Sequence, residues 1–292
     1  MIPLLLIPQM ILSGLLFSFD KLNNLISTKG KVPIVADFMA SRWAYEALAT
    51  HQFKNNEYEQ PFYTYEREEA KADYKSAYMA NELKKRNRYV LENFESPADS
   101  IKRLVAFNLR ILSDNLRSEP FQAGLEKFNL EEAFSPEKYS KAFGQTLDNY
   151  FEEYRKHYQK IYNQHVDLVE KKMAFYEKNG ININEEKNRY HNESLSDLVR
   201  NISVQQRLLE YNGQLIQQIN PIFQEPRPAH ILDYRTAFFL PEKNFLGMIV
   251  GTYWFNILVI WAMAIFFYIA LYFEWLRKFI DLFGKMNIPM KK

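Results

Sequence analysis

Apolar residues crowd into the two ends of the chain, and a long polar middle separates them. Residues 245–273 read FLGMIVGTYWFNILVIWAMAIFFYIALYF, 29 positions without a charge. About 20 apolar residues carry a helix across the hydrocarbon core of a bilayer. A charge at the centre of such a helix costs roughly 2.5–3.5 kcal/mol, so an uncharged run of this length predicts a transmembrane helix. Tyr272 and Trp275 fall where aromatic side chains line a membrane interface. Residues 2–19 are also uncharged, but Pro3 and Pro8 interrupt them, and Gln9, Ser13 and Gly14 follow. They lack the basic start and small-residue cleavage site of a signal peptide. The expectation for residues 1–19 is the end of a truncated transmembrane helix, with the chain a fragment or Met1 an internal start.

Residues 20–244 contain no second run of membrane length and carry helix signals instead. Ser96-Pro97-Ala98-Asp99 and Ser135-Pro136-Glu137 each place a capping Ser before Pro, with an acid in the first turn. The second predicts a long helix ending at Asn179-Gly180. Within it Tyr150, Tyr154, Tyr158 and Tyr162 recur every fourth residue, followed by Val166, Val169 and Met173. That spacing gives one aromatic stripe on one helix face, read either as a packing face or as a ligand-stacking strip. Tyr74, Tyr78, Leu83, Tyr89 and Val90 predict a partner helix, and Leu195 to Leu209 a later one. Strand signals are weak, so the fold class expected is all-α. Residues 214–244, with Pro221, Pro226, Pro228 and Pro241, read as an extended connector.

Composition removes most chemistry. Lys plus Arg number 37 and Asp plus Glu 35, a net of +2, which gives no chain-wide basic field and no nucleic-acid partner. The distribution is more telling than the total. Residues 274–292 carry five basic groups against two acidic ones, or +3, which predicts a cytoplasmic tail by the positive-inside rule. Phe279, Ile280, Leu282 and Phe283 among those charges suit a short amphipathic helix at the inner interface. There is no Cys, hence no disulfide, thiol nucleophile or thiolate metal site. With 9 Gly and no GK[ST] signature, the chain has no phosphate loop. His157 and His165 are separated by about 12 Å of helix rise, too far to share a metal. Glu152, Glu153 and Asp167 around them, and the cluster Lys84, Lys85, Arg86 and Arg88, read as solvated helix faces. Asn192-Glu193-Ser194 and Asn201-Ile202-Ser203 are formal sequons and nothing more. No catalytic residue, cofactor-binding residue or metal ligand is expected.

Near the N-terminus, Ile11-Leu12-Ser13-Gly14-Leu15-Leu16-Phe17 precedes Val32-Pro33-Ile34, then Ser41-Arg42-Trp43-Ala44-Tyr45-Glu46-Ala47-Leu48 and Phe53. With the final apolar run, this order resembles the permease half of G-subfamily (White/pigment and multidrug type) ABC transporters, the type-2 exporter fold. The resemblance covers residues 8–55 and 243–275. Ser13, Gly14, Leu15 and Leu16 match the end of the family's fifth membrane helix. Arg42, Tyr45, Glu46, Ala47 and Leu48 match its re-entrant segment, and the last apolar run takes the place of the sixth helix. The sequence departs from the family in a loop of about 185 residues before that helix, as in enlarged bacterial members, and in lacking the nucleotide-binding domain and the first four membrane helices.

The resemblance implies a layout of a truncated helix end at 1–19, a polar loop and re-entrant segment at 20–55, and a helical extracytoplasmic insert at 56–213. The connector at 214–244, a transmembrane helix at 245–273 and a basic cytoplasmic tail at 274–292 complete it. It implies an integral protein of the cytoplasmic membrane, with residues 56–240 outside. It further implies the C-terminal permease part of an ATP-driven exporter, with ATP and Mg bound only in the absent domain. Its partners would be that domain, a second half-transporter, the lipid bilayer and a transported substrate of unknown identity. Leu15 and Leu16 would form the outer gate, or else pack as ordinary leucines. Arg42 and Glu46, one helical turn apart, would pair in apolar surroundings, or on a plain solvated surface. The alternative reading is a membrane-anchored helical binding or scaffold protein with an extracytoplasmic partner.

Overall fold

The computed structural model describes residues 2–14, 19, 30–117, 119–121, 125, 129–211, 213–275, 277 and 278. It is mostly helical. In chain order come α1 (Ile2–Ile11), α2 (Ile34–Asp37), α3 (Ala40–Lys54), α4 (Tyr63–Asp73), a π-helical turn (Tyr74–Met79) and α5 (Ala80–Asn93). There follow α6 (Asp99–Leu116), α7 (Leu130–Ala133), α8 (Lys141–Lys178), α9 (Ile183–Tyr190) and α10 (Glu193–Val199). Two hairpins come next, β1 (Leu208–Tyr211) with β2 (Gln214–Gln217) and β3 (Glu242–Phe245) with β4 (Met248–Gly251), and then α11 (Thr252–Tyr272).

The main core lies where α5, α6 and α8 meet. Leu83, Val90, Leu109, Ile111, Leu112, Leu116, Phe143 and Leu147 fill it, with the Tyr150, Tyr154 and Tyr158 part of the aromatic stripe. The stripe is therefore a packing face. Further along α8, Val169 and Met173 leave this core and join Tyr58, Phe62 and Ile183. The 38-residue helix thus spans two clusters over about 57 Å at 1.5 Å per residue. Ser140, rather than the expected Ser135, caps it by accepting from the Phe143 amide; Asn179 with Gly180 (φ +82°) ends it where the sequence predicts. A third cluster, with Ala49, Phe53, Tyr63, Ile222, Phe223 and Phe239, joins α3 and α4 to the chain returning towards α11.

Several boundaries depart from the sequence reading. The helix expected from Ser135 starts at Lys141, because Ser135 closes a separate turn in which its carbonyl accepts from the Lys138 and Tyr139 amides. The one expected from Ser96 starts at Asp99, after Ala98. The helix expected from Leu195 to Leu209 is split: α10 stops at Val199, Asn201 turns left-handed (φ +49°), and Leu208 and Leu209 lie in β1. The 214–244 stretch begins as β2, holds a short 3₁₀ turn at Pro221–Phe223 and ends in β3.

The 245–273 run also divides. Leu246 (φ +52°) and Gly247 (φ +87°) make the two-residue turn of the β3–β4 hairpin, a backbone that no helix accommodates. The helix itself starts at Thr252, where the Thr252 amide donates to the Pro241 carbonyl and its hydroxyl to that of Leu240. Its 21 residues are long and apolar enough to cross a membrane, and only 11% of its most apolar window is buried. A core helix of a soluble protein would be covered on most of its surface; this one is not.

Candidate functional site

The first turns of α11 rest against α3, and charged groups gather at that junction. Arg42, Glu46 and Lys243 are 2%, 0% and 1% exposed. Burying such groups is costly unless each finds a partner of opposite charge and hydrogen bonds. Here they do. Glu46 Oε1 accepts from Lys243 Nζ at 2.9 Å, and Glu46 Oε2 accepts from Asn256 Nδ2 at 2.9 Å. Lys243 Nζ also donates to the Thr236 hydroxyl at 2.9 Å, and Asn256 Nδ2 to the Trp43 carbonyl at 3.0 Å. Arg42 lies 3.6 Å from Glu46 and 3.6 Å from Asp37, and its guanidinium covers the Trp43 ring at 3.8 Å. Asp37 completes the set by accepting from the Tyr234 hydroxyl at 3.0 Å. Arg42 and Lys243 face Glu46 and Asp37, and Arg235 stands near enough to act on Asp37 as well.

Each element contributes for a local reason. On α3, positions 42 and 46 lie one turn apart and share a face. Trp43 is anchored by its indole N–H donating to the Asp37 carbonyl at 2.8 Å. Lys243 is held by the β3–β4 ladder, where it pairs with Val250. Asn256 comes from the second turn of α11. Phe255 beside it stacks on Tyr234 (5.9 Å) and leans on Trp43 (6.0 Å), closing the cluster with aromatic rings.

Of the residues singled out from sequence, Arg42 and Glu46 do pair, and in a buried place rather than on a solvated surface. Tyr45, on another face of α3, packs half-buried on Phe238 and Phe239. Leu15 and Leu16 lie outside the described residues, as does the tail from residue 279. Lys84 and Arg86 are tied into ion pairs, Lys84 with Asp148 and Glu152, Arg86 with Glu82 and Glu210. His157 stacks on Phe121 at 4.4 Å.

The sequence reading missed Asp37, Tyr234, Thr236, Lys243 and Asn256 as members of one cluster. One signal was visible: Asn256 is the sole carboxamide in the 245–273 run. Lys243 sits just outside that run and reads from sequence only as a boundary charge.

Two further polar clusters lie away from this junction. Glu119 accepts from Lys75 (2.8 Å), Tyr158 (2.5 Å) and Tyr154 (3.2 Å) beside the π-helical turn. Burial pushes all three partners towards their neutral forms, although Glu119 opposes this at Lys75. Glu59 lies 2.5 Å from His191 Nδ1 and shares a hydrogen bond with Glu66. Burial and the neighbouring Glu59 charge push the Glu66 carboxyl up to about 7. Among the described residues no group of three or more His, Cys, Asp or Glu side chains is placed to hold a metal. The junction cluster ties α3, the chain before β3, β3 itself and the start of α11 together through buried hydrogen bonds and ion pairs.

No protein-family model, curated protein or solved structure matches the chain.

Proposed function

We propose that the chain is the C-terminal part of the permease of an ATP-driven ABC exporter of the G-subfamily type. In this reading it lines part of the translocation path and its outer gate, and ATP is hydrolysed by a nucleotide-binding domain outside this chain. One observation carries the proposal. The two stretches that resemble the family are 197 to 210 residues apart in sequence where they meet, yet Glu46 on α3 binds both Lys243 and Asn256. A re-entrant segment and the following membrane helix need such a junction. Residues 56–240 leave it and return to it, as an insert does.

Charges beside a membrane span are retained where they pair and face protein, and the 42/46/243 cluster at the Thr252 end of α11 is paired in this way. Arg42, Tyr45 and Glu46 then belong to the re-entrant segment. Leu15 and Leu16 take the gate position, where apolar side chains close a polar path by dewetting. The chain is integral to the cytoplasmic membrane, the insert lies outside, and the tail lies within the cytoplasm.

The test uses the chromosomal copy, tagged after Lys292 and purified from gently solubilised membranes. ATP hydrolysis sensitive to vanadate should purify with it, and changing both Leu15 and Leu16 to Ala should alter that rate at unchanged protein yield. A well-folded preparation with no ATP-hydrolysing component would overturn the assignment.

A further inference from the structure

The β3–β4 hairpin presents an apolar tip that the rest of the described chain leaves uncovered. Phe245, Leu246, Met248 and Ile249 at the tip, with Ile231 and Leu232 beside it, are between 42% and 65% exposed. The hairpin's polar side chains point the other way: Lys243 and Asn244 are buried at its base. Asn244 ties the two parts together. Its Nδ2 donates to the Ile231 carbonyl at 2.8 Å and the Asp233 carbonyl at 3.2 Å, and its Oδ1 accepts from the Gly247 amide at 3.1 Å. Gly247 lies so near that a Cβ there would stand 3.4 Å from Ile231 Cγ1. Tip and loop form one fixed surface.

Its depth follows from the helix. Twenty-one residues at 1.5 Å each give α11 about 31 Å, which matches a hydrocarbon core of about 30 Å. Thr252 therefore falls at the bilayer boundary. The tip does not project away from that level but folds back along the helix: Phe245 meets Phe255, three residues inside α11, edge to face at 5.9 Å. Trp254, exposed in the same turn, continues the apolar surface onto the helix.

We propose that the hairpin tip with Ile231 and Leu232 inserts among lipid acyl chains at the bilayer interface on the Thr252 side, as a second membrane anchor. The occupant is lipid because the surface carries no charge and runs without a break into the face of α11 that lipid would cover. An apolar surface held by a backbone hairpin would sit at the acyl boundary without crossing it. A fixed wedge there holds α11 in depth and rotation, and with it the ionic junction above.

This inference rests on the reading of α11 as a membrane span, and the test separates the two. The chain has no Cys, so single nitroxide labels go on at Leu246→Cys, Leu232→Cys, Trp261→Cys and Lys138→Cys. Each labelled full chain is reconstituted in phosphatidylcholine vesicles, and collisions with oxygen and with a water-soluble nickel chelate are measured. Labels at 246 and 232 should favour oxygen several-fold over the 138 label, and the 261 label should favour it more. Nickel access at 246 and 232 equal to that at 138, with 261 in lipid, would overturn the hairpin anchor alone. Shielding of 246 and 232 from both agents would mark a protein-covered surface and overturn it too. Nickel access at 261 would overturn the span and the anchor together.

Discussion

Glu46 is the residue on which the junction turns, since it binds Lys243 and Asn256 in a place closed to water. Its pairing with Arg42 is legible in the sequence from the one-turn spacing. Lys243 and Asn256 are not, because local periodicity says nothing of which residues meet across some 200 positions of chain. Removing one member of a buried ion pair costs about 3–5 kcal/mol, because the remaining charge stays desolvated. Lys243→Met should lower stability by an amount of that order, read as the thermal midpoint of the purified chain in detergent. A midpoint equal to that of the parent would mean that water reaches Glu46. Glu66 gives a prediction of different kind. Its carboxyl is held near 7 by burial and by Glu59, against 4.5 when free, so the fold favours the protonated form. Its contribution to stability is thus full below pH 4.5 and lost as pH rises through 7. Glu66→Gln, which cannot ionise, should raise the midpoint at pH 8 and leave little difference at pH 4.5. Parallel midpoint–pH curves for the two proteins would remove Glu66 as the source.

At the scale of elements, the presence of the long helix and of the apolar one is legible in the sequence, but their starting points and both hairpins are not. The Tyr stripe announces α8 because three turns of burial repeat one spacing. Four-residue strands carry too few alternations to stand out: β1 is half-buried at every position. The one turn signal for it, Asn212-Gly213, is a favoured two-residue hairpin dipeptide. The β3–β4 turn was hidden because its apolar side chains extend the hydropathy of α11 without a break. Packing between helices was also beyond the sequence, and Gly144 shows why. It lies in the first turn of α8, where its carbonyl accepts from Asn87 Nδ2 at 2.9 Å. A Cβ there would come within 2.1 Å of Tyr139 Oη and 2.6 Å of Leu91 Cδ2. In a helix Ala is the better residue by about 1 kcal/mol, but overpacking costs about 1–3 kcal/mol. Contact with two side chains at once should decide the sign. Gly144→Ala should therefore destabilise the chain, with urea denaturation of the α5–α8 core as the measure. A stabilised variant would mean that Leu91 and Tyr139 move aside freely.

At the scale of the whole molecule, the average composition conceals a charge asymmetry that would set orientation if α11 crosses a membrane. The chain carries a net of +2, but residues 274–292 carry +3, which leaves −1 for residues 1–273. The excess lies within the 15–20 residues after a span in which the positive-inside rule acts, whereas long loops cross regardless of charge. The hydrogen bonds of Glu46 put α3 at the Thr252 end of α11, the end opposite the tail, so one orientation fixes both. The tail should face the cytoplasm and the α4–α10 body the other side. Lys138 reports on that body, since its side chain is 58% exposed. In this cysteine-free chain, Lys138→Cys and Lys291→Cys supply one reporter on each side of α11. A membrane-impermeant maleimide applied to intact cells should label position 138 and leave 291 unlabelled until the cells are opened. Labelling of 291 with protection of 138 would invert the orientation, place the helical insert in the cytoplasm and with it remove the exporter reading.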